Sequence, residues 1–355
     1  MDLQTNNPAR LRILHSPENI TGQATSLSRW QRQHGAVSET ATYYDNPYDP
    51  PGDIRLSLQK RSIMAHLFRM FGFFLHSLRN YDLFNFYSGY SLLPLNLDLP
   101  FLRLLGRKIT MTYCGTDVRL VSIEKRRNPF WFMLTMGRNR PAFDVIKRLF
   151  IIWHRLWVHR VIAPRGLYDS ARLYFPPAKI VSDIWLHNPM DIAHYKPTAY
   201  RTNKVPLVVH APSKTGIKGS RYVAAAVKQL QAEGFNFIYK RLHGLPYRQV
   251  HAVLRDEADI IVDQFIIGDF GTLAVEGMYY GKPVMCYQAK AIKAVHYPSC
   301  PLVNASLLTL KDKLAWLITH PEERIRIGKA GRAYVEKHFD REKLNQAIWD
   351  LYKKI

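Results

Sequence analysis

Short apolar runs alternate with longer stretches of 3.6-residue periodicity along most of the chain. Residues 11–15 (LRILH) predict a first strand, then a loop around Thr21, Gly22 and Gln23, then a helix over 24–33 closed by Gly35. After a poorly patterned Tyr/Asp/Pro stretch at 43–53, the pattern predicts an amphipathic helix over 63–78, a strand at 83–87, a helix over 99–105 ended by Gly106, and a strand at 108–113. Strands that alternate with helices predict a parallel sheet. From Pro206 the rhythm restarts: strands at 206–211, 236–239, 260–262 and 283–287 alternate with helices over 220–233, 247–255 and 272–280. The expectation is an α/β chain of two Rossmann-like domains, 1–195 and 196–330, joined by the Pro-rich segment 188–203. The last helices, 321–338 and 341–352, are amphipathic, and the segment 331–355 is expected to pack back toward the N-terminal domain. Two such domains would face one another across a cleft at the C-terminal ends of their strands.

A length of 355 residues suits two cores, and 47% hydrophobic content is ordinary for a globular chain. The opening MDLQTNNPARLRIL has no basic start followed by an apolar block, so a cytoplasmic location is expected. Cys114, Cys286 and Cys300 show no metal-ligand spacing and read as free thiols. The net charge of +22 changes the picture more, because it predicts attraction to polyanions such as anionic lipid, nucleic acid or phosphate-bearing substrates. The apolar stretch 149–163 is too short and too interrupted by His and Arg to span a membrane.

The segment 258–287 (ADIIVDQFIIGDFGTLAVEGMYYGKPVMCY) carries the sharpest chemistry. A strand enters a turn at Gly268–Gly271, and the helix that follows offers first-turn N–H groups and a positive dipole end, a natural phosphate site. The backbone amides at Phe270, Gly271, Thr272 and Leu273 are the expected cradle. Glu276 lies one turn into that helix, where it could accept hydrogen bonds from ribose hydroxyls or serve as a plain helix-face carboxylate. In the segment 210–229 a strand ends in a loop with Ser213, Lys214, Gly216, Lys218 and Gly219, which could bring an ammonium and backbone N–H groups to a diphosphate. The GxxxxGK[ST] spacing of a Walker loop is absent.

Together these two segments resemble the C-terminal domain of family 4 retaining GT-B glycosyltransferases. The resemblance implies that Lys218 contacts the donor diphosphate. It also aligns Glu276, Met278, Gly281, Pro283 and Val284 with the family's Glu-x-Met-x-x-Gly-x-Pro-Val run. LRILHSPENITGQATSLSRWQRQHG resembles the family's opening strand and glycine turn, KITMTYCGTDVR its His-Gly-x-Asp-like turn, NPMDIAHYKP its interdomain connection, and KAGRAYVEKHF its recrossing helix. Three positions depart from the family. Its first donor-side glutamate falls on Gly268, with Asp269 next door; its arginine falls on Ser213, with Lys214 as a substitute cation; and its histidine falls on Cys114.

The resemblance implies transfer of a sugar from a nucleotide-diphosphate donor to a lipid-linked or polysaccharide acceptor, with retention and without metal or cofactor. Lys218, Asp269 and Asp117 are the expected catalytic residues. Ser213, Lys214, Lys218, Phe270–Leu273 and Glu276 are expected on the donor, and His15, Gly22 and Arg119 on the acceptor. An impaired nucleotide-sugar-binding protein and a nucleotide-sugar epimerase are the alternatives. Between Arg119 and Arg172, basic residues interleave with Phe130, Trp131, Phe132, Phe150, Trp153 and Trp157, as at a membrane interface that the segment 63–78 could join. The same aromatics could instead fill the core of the N-terminal domain. No nucleic-acid-binding module is visible.

Overall fold

The computed structural model describes residues 11–45, 51–60, 62–134, 141–182 and 203–355, so the expected connection at 188–197 lies outside the described residues. The chain divides into two compact units. One comprises Met1–Leu120, Ala142–Leu186 and Glu342–Ile355, and the other Val121–Pro141 and His187–Arg341. These bounds differ from the expected division in assigning Val121–Pro141 to the second unit.

The first unit begins with β1 (Arg12–Ser16), α1 (Gln23–Gln33), β2 (Val37–Thr42), β3 (Ile54–Arg55), α2 (Ile63–Asn80), β4 (Leu83–Tyr87), α3 (Asp98–Leu104) and β5 (Lys108–Thr112). After α4 (Val121–Arg127), which belongs to the second unit, it resumes with α5 (Asp144–Trp157), β6 (Arg160–Ile162), α6 (Arg165–Arg172) and β7 (Ile180–Val181). The seven strands form one sheet in the order β3-β2-β1-β4-β5-β6-β7, every pairing parallel.

Strand alternation divides this sheet into two faces. Phe84, Phe86, Ile109 and Met111 join one core with Phe73 and Phe74 of α2, Leu99 and Leu102 of α3 and Ile151 of α5. Each fully buried Phe there contributes about 1.5–3 kcal/mol relative to an exposed one. The intervening positions are polar and satisfied: Thr110 and Thr112 both donate to Asn85 Oδ1, at 2.8 and 3.0 Å. β2 (VSETAT) shows no apolar alternation because it buries Ser38 and Thr40, and Ser38 Oγ donates to Gln31 of α1 at 2.7 Å.

The second unit contains β8 (Leu207–His210), α7 (Thr215–Lys218), α8 (Ser220–Ala232), β9 (Ile238–Arg241), α9 (Tyr247–Asp256), β10 (Ile260–Val262), α10 (Thr272–Tyr279) and β11 (Val284–Cys286). It continues through α11 (Lys290–His296), β12 (Val303–Asn304), α12 (Leu310–Thr319) and α13 (Pro321–His338). Its sheet runs β12-β11-β10-β8-β9, all parallel. The chain leaves β8 for β9 on one side and returns to β10 on the other, so the carboxyl ends of β8 and β10 form a topological switch point, where open α/β sheets bind ligands.

Segment 121–134 packs here because Val121, Trp131 and Leu134 cluster with Ile266. Phe130 stands edge-on to Tyr287 at 5.1 Å. Of the aromatics in the expected belt, Trp131 is core in the second unit, Trp153 and Trp157 pack against the core of the first, and Phe132 is exposed. The final helix, α14 (Arg341–Lys353), supplies Trp349, edge-on to Trp30 of α1 at 6.5 Å, and Glu342, which accepts the Trp30 indole N–H at 2.8 Å.

Candidate functional site

The switch point of the second unit gathers the strongest candidates. Lys218 ends α7, the single helical turn that follows β8, and its ammonium pairs with Asp263 Oδ1 at 2.7 Å, directly beyond β10. The side chains are 13% and 0% exposed. The other carboxylate oxygen, Oδ2, accepts the Gly271 amide at 2.7 Å, at the position that opens α10. One carboxylate thus ties the lysine to the start of a helix. The approach is close enough that a Cβ on Gly271 would stand 2.7 Å from Lys218 Nζ, so any side chain at 271 displaces the ammonium. His210 braces the same two strands, with Nδ1 2.8 Å from the Val262 carbonyl and Nε2 2.8 Å from Ser220 Oγ; burial lowers its pKa to about 4, so it is neutral and structural.

Glu276, one turn into α10, is almost fully buried. Its carboxylate lies 3.3 Å from His251 Nε2 and accepts the Tyr247 hydroxyl at 3.4 Å, both from α9. His251 Nδ1 is 2.7 Å from the Tyr280 hydroxyl, and a proton on Nε2 satisfies both ring contacts. Ser213 and Lys214 lie exposed on the loop before α7, and the Lys214 carbonyl accepts the Lys218 amide at 3.0 Å.

Two expectations on this loop are corrected. The Gly271 amide is engaged by Asp263, and the Phe270 amide donates to Asp269 Oδ1 at 2.9 Å. Loop carboxylates therefore engage both, which narrows the cradle to the first helical residues, Thr272 and Leu273. Asp269 is itself buried and its backbone carbonyl accepts Gln264 Nε2 at 2.5 Å, so it builds the turn.

The backbone and neighbours of position 268 account for the glycine found there in place of the glutamate that the resemblance led one to expect. Gly268 has φ +79°, and a Cβ there would lie 2.7 Å from Asn128 Nδ2 and 3.1 Å from Ala289 Cβ. Asn128 is buried and pinned, donating to the Ile266 carbonyl at 2.7 Å and accepting the Phe130 amide at 2.9 Å. Restoring glutamate by Gly268→Glu is therefore expected to destabilise the second unit by about 2–4 kcal/mol, from left-handed backbone plus overpacking, without raising activity. Thermal unfolding checks this, and adding Asn128→Gly relieves the overpacking part.

The first-unit candidates are placed by turns and core contacts. His15 is wholly buried on β1, with Nε2 2.9 Å from Gln31 Oε1 and Nδ1 3.3 Å from both Asn85 Nδ2 and the Tyr87 hydroxyl; burial lowers its pKa to about 4. Its expected acceptor contact is corrected: core atoms enclose the ring. Asp117 accepts the amides of Cys114, Gly115 and Val118 at 2.8, 2.7 and 3.1 Å, which accounts for it as the builder of its own turn, and burial raises its pKa despite those bonds. Arg119 is buried and donates to the Gly166 carbonyl at 3.3 Å, while its own carbonyl accepts Lys147 Nζ at 2.8 Å. Gly22 is buried at the start of α1.

Sequence reasoning did not single out Asp263, Gln264, Tyr247, His251 or Asn128. Asp263 ends a strand in a quoted segment, and strand termini at a switch point are the one signal that could have found it.

No protein-family model matches the chain, and no curated protein matches it. Solved structures do. Sucrose-phosphate synthase from Thermosynechococcus elongatus aligns over 97% of this chain and 98% of its own, with TM-score 0.70 and 14% identity. Anabaena HepE, in complex with UDP-glucose, aligns over 97% and 100%, with TM-score 0.68 and 14% identity. The chain has the GT-B fold. A putative UDP-N-acetylglucosamine 2-epimerase from Listeria monocytogenes aligns over 96% and 95%, with TM-score 0.59 and 11% identity. In this GT-B chain the lysine and the opening of α10 meet at the switch point of the second sheet, and Glu276 lies one turn further along the same helix.

Proposed function

We propose that this GT-B chain transfers a sugar from a nucleotide-diphosphate donor to a saccharide or lipid-linked acceptor with retention of anomeric configuration. The observation that carries the reading is the Lys218 ammonium held by Asp263 against the opening of α10, with Glu276 one turn along. HepE, of like fold, was solved with UDP-glucose.

In this reading the ammonium and the first-turn amides of Thr272 and Leu273 stabilise the charge that develops on the leaving diphosphate. Asp263 is a positioning residue that presents Lys218 Nζ. Glu276 accepts the ribose hydroxyls, oriented by Tyr247 and His251. Lys214 and Ser213 close the phosphate side from the exposed loop. The scheme uses no metal or cofactor, since fixed cationic and dipolar groups supply the charge. We place the reaction at the cytoplasmic face of a cell membrane, in the building of an envelope polysaccharide.

The test is incubation with UDP-, GDP- and ADP-sugars, with thermal shift and nucleotide release as readouts. A stabilising shift with one donor class and acceptor-dependent release are expected, with the product anomer read by NMR. No shift with any nucleotide sugar overturns the reading. Glu276→Gln is expected to weaken donor binding about tenfold, the equivalent of roughly 1.4 kcal/mol, because a carboxylate pairs with vicinal hydroxyls better than an amide does; titration calorimetry checks it. A second reading, an epimerase, is favoured by the Listeria structural match and would show as sugar conversion without any acceptor.

A further inference from the structure

The outer surface of the first unit carries an apolar layer that none of the proposed chemistry uses. α2, α3 and α5 pack on one face of the sheet, since all three contribute to the core built on Phe84, Phe86, Ile109 and Met111. Their inner sides fill that core, yet their outer sides are also apolar. On α2, Ile63, Met64, Phe68, Phe71 and Leu75 are 77, 60, 72, 51 and 45% exposed. On α3, Phe101 and Leu104 are exposed, and on α5 Val145, Leu149, Ile152 and Leu156 are. α3 packs against α5, and Trp153 Nε1 donates to the Asn96 carbonyl at 3.0 Å, just before α3. Large exposed apolar side chains gathered on three helices that cover the same core mark an interaction face.

Charge decides the occupant. The three helices contain two acids, Asp98 and Asp144, and both are buried; Asp98 accepts the amides of Leu92 and Leu93 and the Ser91 hydroxyl. The charges left at the surface are basic: Arg69 and Arg79 on α2, Arg103 on α3, and Arg148 and Arg155 on α5. A two-fold contact between copies would set arginines against arginines. An anionic bilayer instead receives the apolar side chains at the headgroup boundary and pairs the guanidinium groups with phosphates. Among the described residues no helix is long and apolar enough to cross a membrane, which leaves in-plane docking as the geometry.

We propose that the α2/α3/α5 face of the first unit is a docking surface for an anionic lipid bilayer. It keeps the 63–78 segment and the α5 part of the belt expected from the sequence, adds α3 and leaves out Trp131, which is buried in the second unit; it does not depend on the donor reading.

The test is flotation of the full chain with phosphatidylcholine vesicles with and without 30% phosphatidylglycerol, about 30% being enough to give a strong negative surface potential. Co-flotation with the anionic vesicles at low salt is expected, falling at least tenfold in the double variant Phe68→Glu/Leu149→Glu and in Arg148→Glu/Arg155→Glu. Both pairs change outward side chains, and unaltered thermal unfolding verifies that they fold. Failure of the parent chain to float with anionic vesicles overturns the proposal. So does equal flotation by the variants, or light scattering that shows a dimer which Phe68→Glu/Leu149→Glu dissociates. Donor binding by thermal shift is read separately, so loss of one function is not mistaken for loss of the other.

Discussion

Lys218→Met is expected to abolish sugar transfer and also to lower the stability of the second unit, and a companion substitution separates the two effects. Removing one preorganised cation from a leaving diphosphate costs on the order of 100- to 1000-fold in turnover. The same change strands Asp263, whose side chain is fully buried, as an unpaired carboxylate; breaking such a pair costs about 3–5 kcal/mol, discounted somewhat for the 13% exposure of the lysine. In the double variant Lys218→Met/Asp263→Asn, an amide replaces the orphaned charge while still accepting the Gly271 N–H. Stability should return and turnover should not. Denaturant titration alongside nucleotide release checks both halves. If Asp263→Asn restored turnover to the Lys218→Met protein, the lysine would not be acting on the donor.

Acid is expected to unfold the chain steeply between pH 6.5 and 4. His15, His154 and His210 are each buried as neutral rings, with pKa values lowered by desolvation to about 4, about 3 and about 4. His154 is held between the Tyr113 hydroxyl, 2.8 Å from Nδ1, and Asn96 Nδ2, 2.7 Å from Nε2. The unfolded chain binds protons at these sites near pH 6.5, while the folded chain binds them only near 4 or below. Their contribution is therefore complete above pH 6.5 and is lost as pH falls toward 4. Each contributes roughly 3 kcal/mol across that window, and His15 and His154, both in the first unit, together come to about 6 kcal/mol, comparable with the whole stability of a typical domain. Urea titrations at steps from pH 7.5 to 4.5 check this, and His154→Gln should flatten the slope by about one proton.

The pattern of apolar positions exposed most of the architecture because most elements bury one apolar stripe. The helices at 23–33 and 220–232 follow that rule, burying Ala24, Leu27 and Trp30 in one and Val223, Ala226, Val227 and Leu230 in the other. β2 did not, since it buries Ser38 and Thr40, with Ser38 bonded to Gln31 of α1, and α5 was hidden because its outer side is apolar as well. Lys218 and Glu276 were legible from local motifs. Their partners were not. Asp263 meets Lys218 across 45 residues, and Tyr247 meets Glu276 across 29, through strand order that periodicity does not encode. Asn128, which fills the space beside Gly268, comes from 138 residues before its hydrogen-bond acceptor Ile266.

The first unit is closed by the chain's last helix. Trp30 of α1 has its indole partner in Glu342, 312 residues later, and His15 lies 6.4 Å from the ring of Tyr352. During synthesis α14 emerges only after the whole of the second unit, so one flank of the first sheet stays unsealed while the second unit already has its entire sequence. Order of emergence and order of completion are thereby reversed, and trimming the final helix should harm the half of the protein made first.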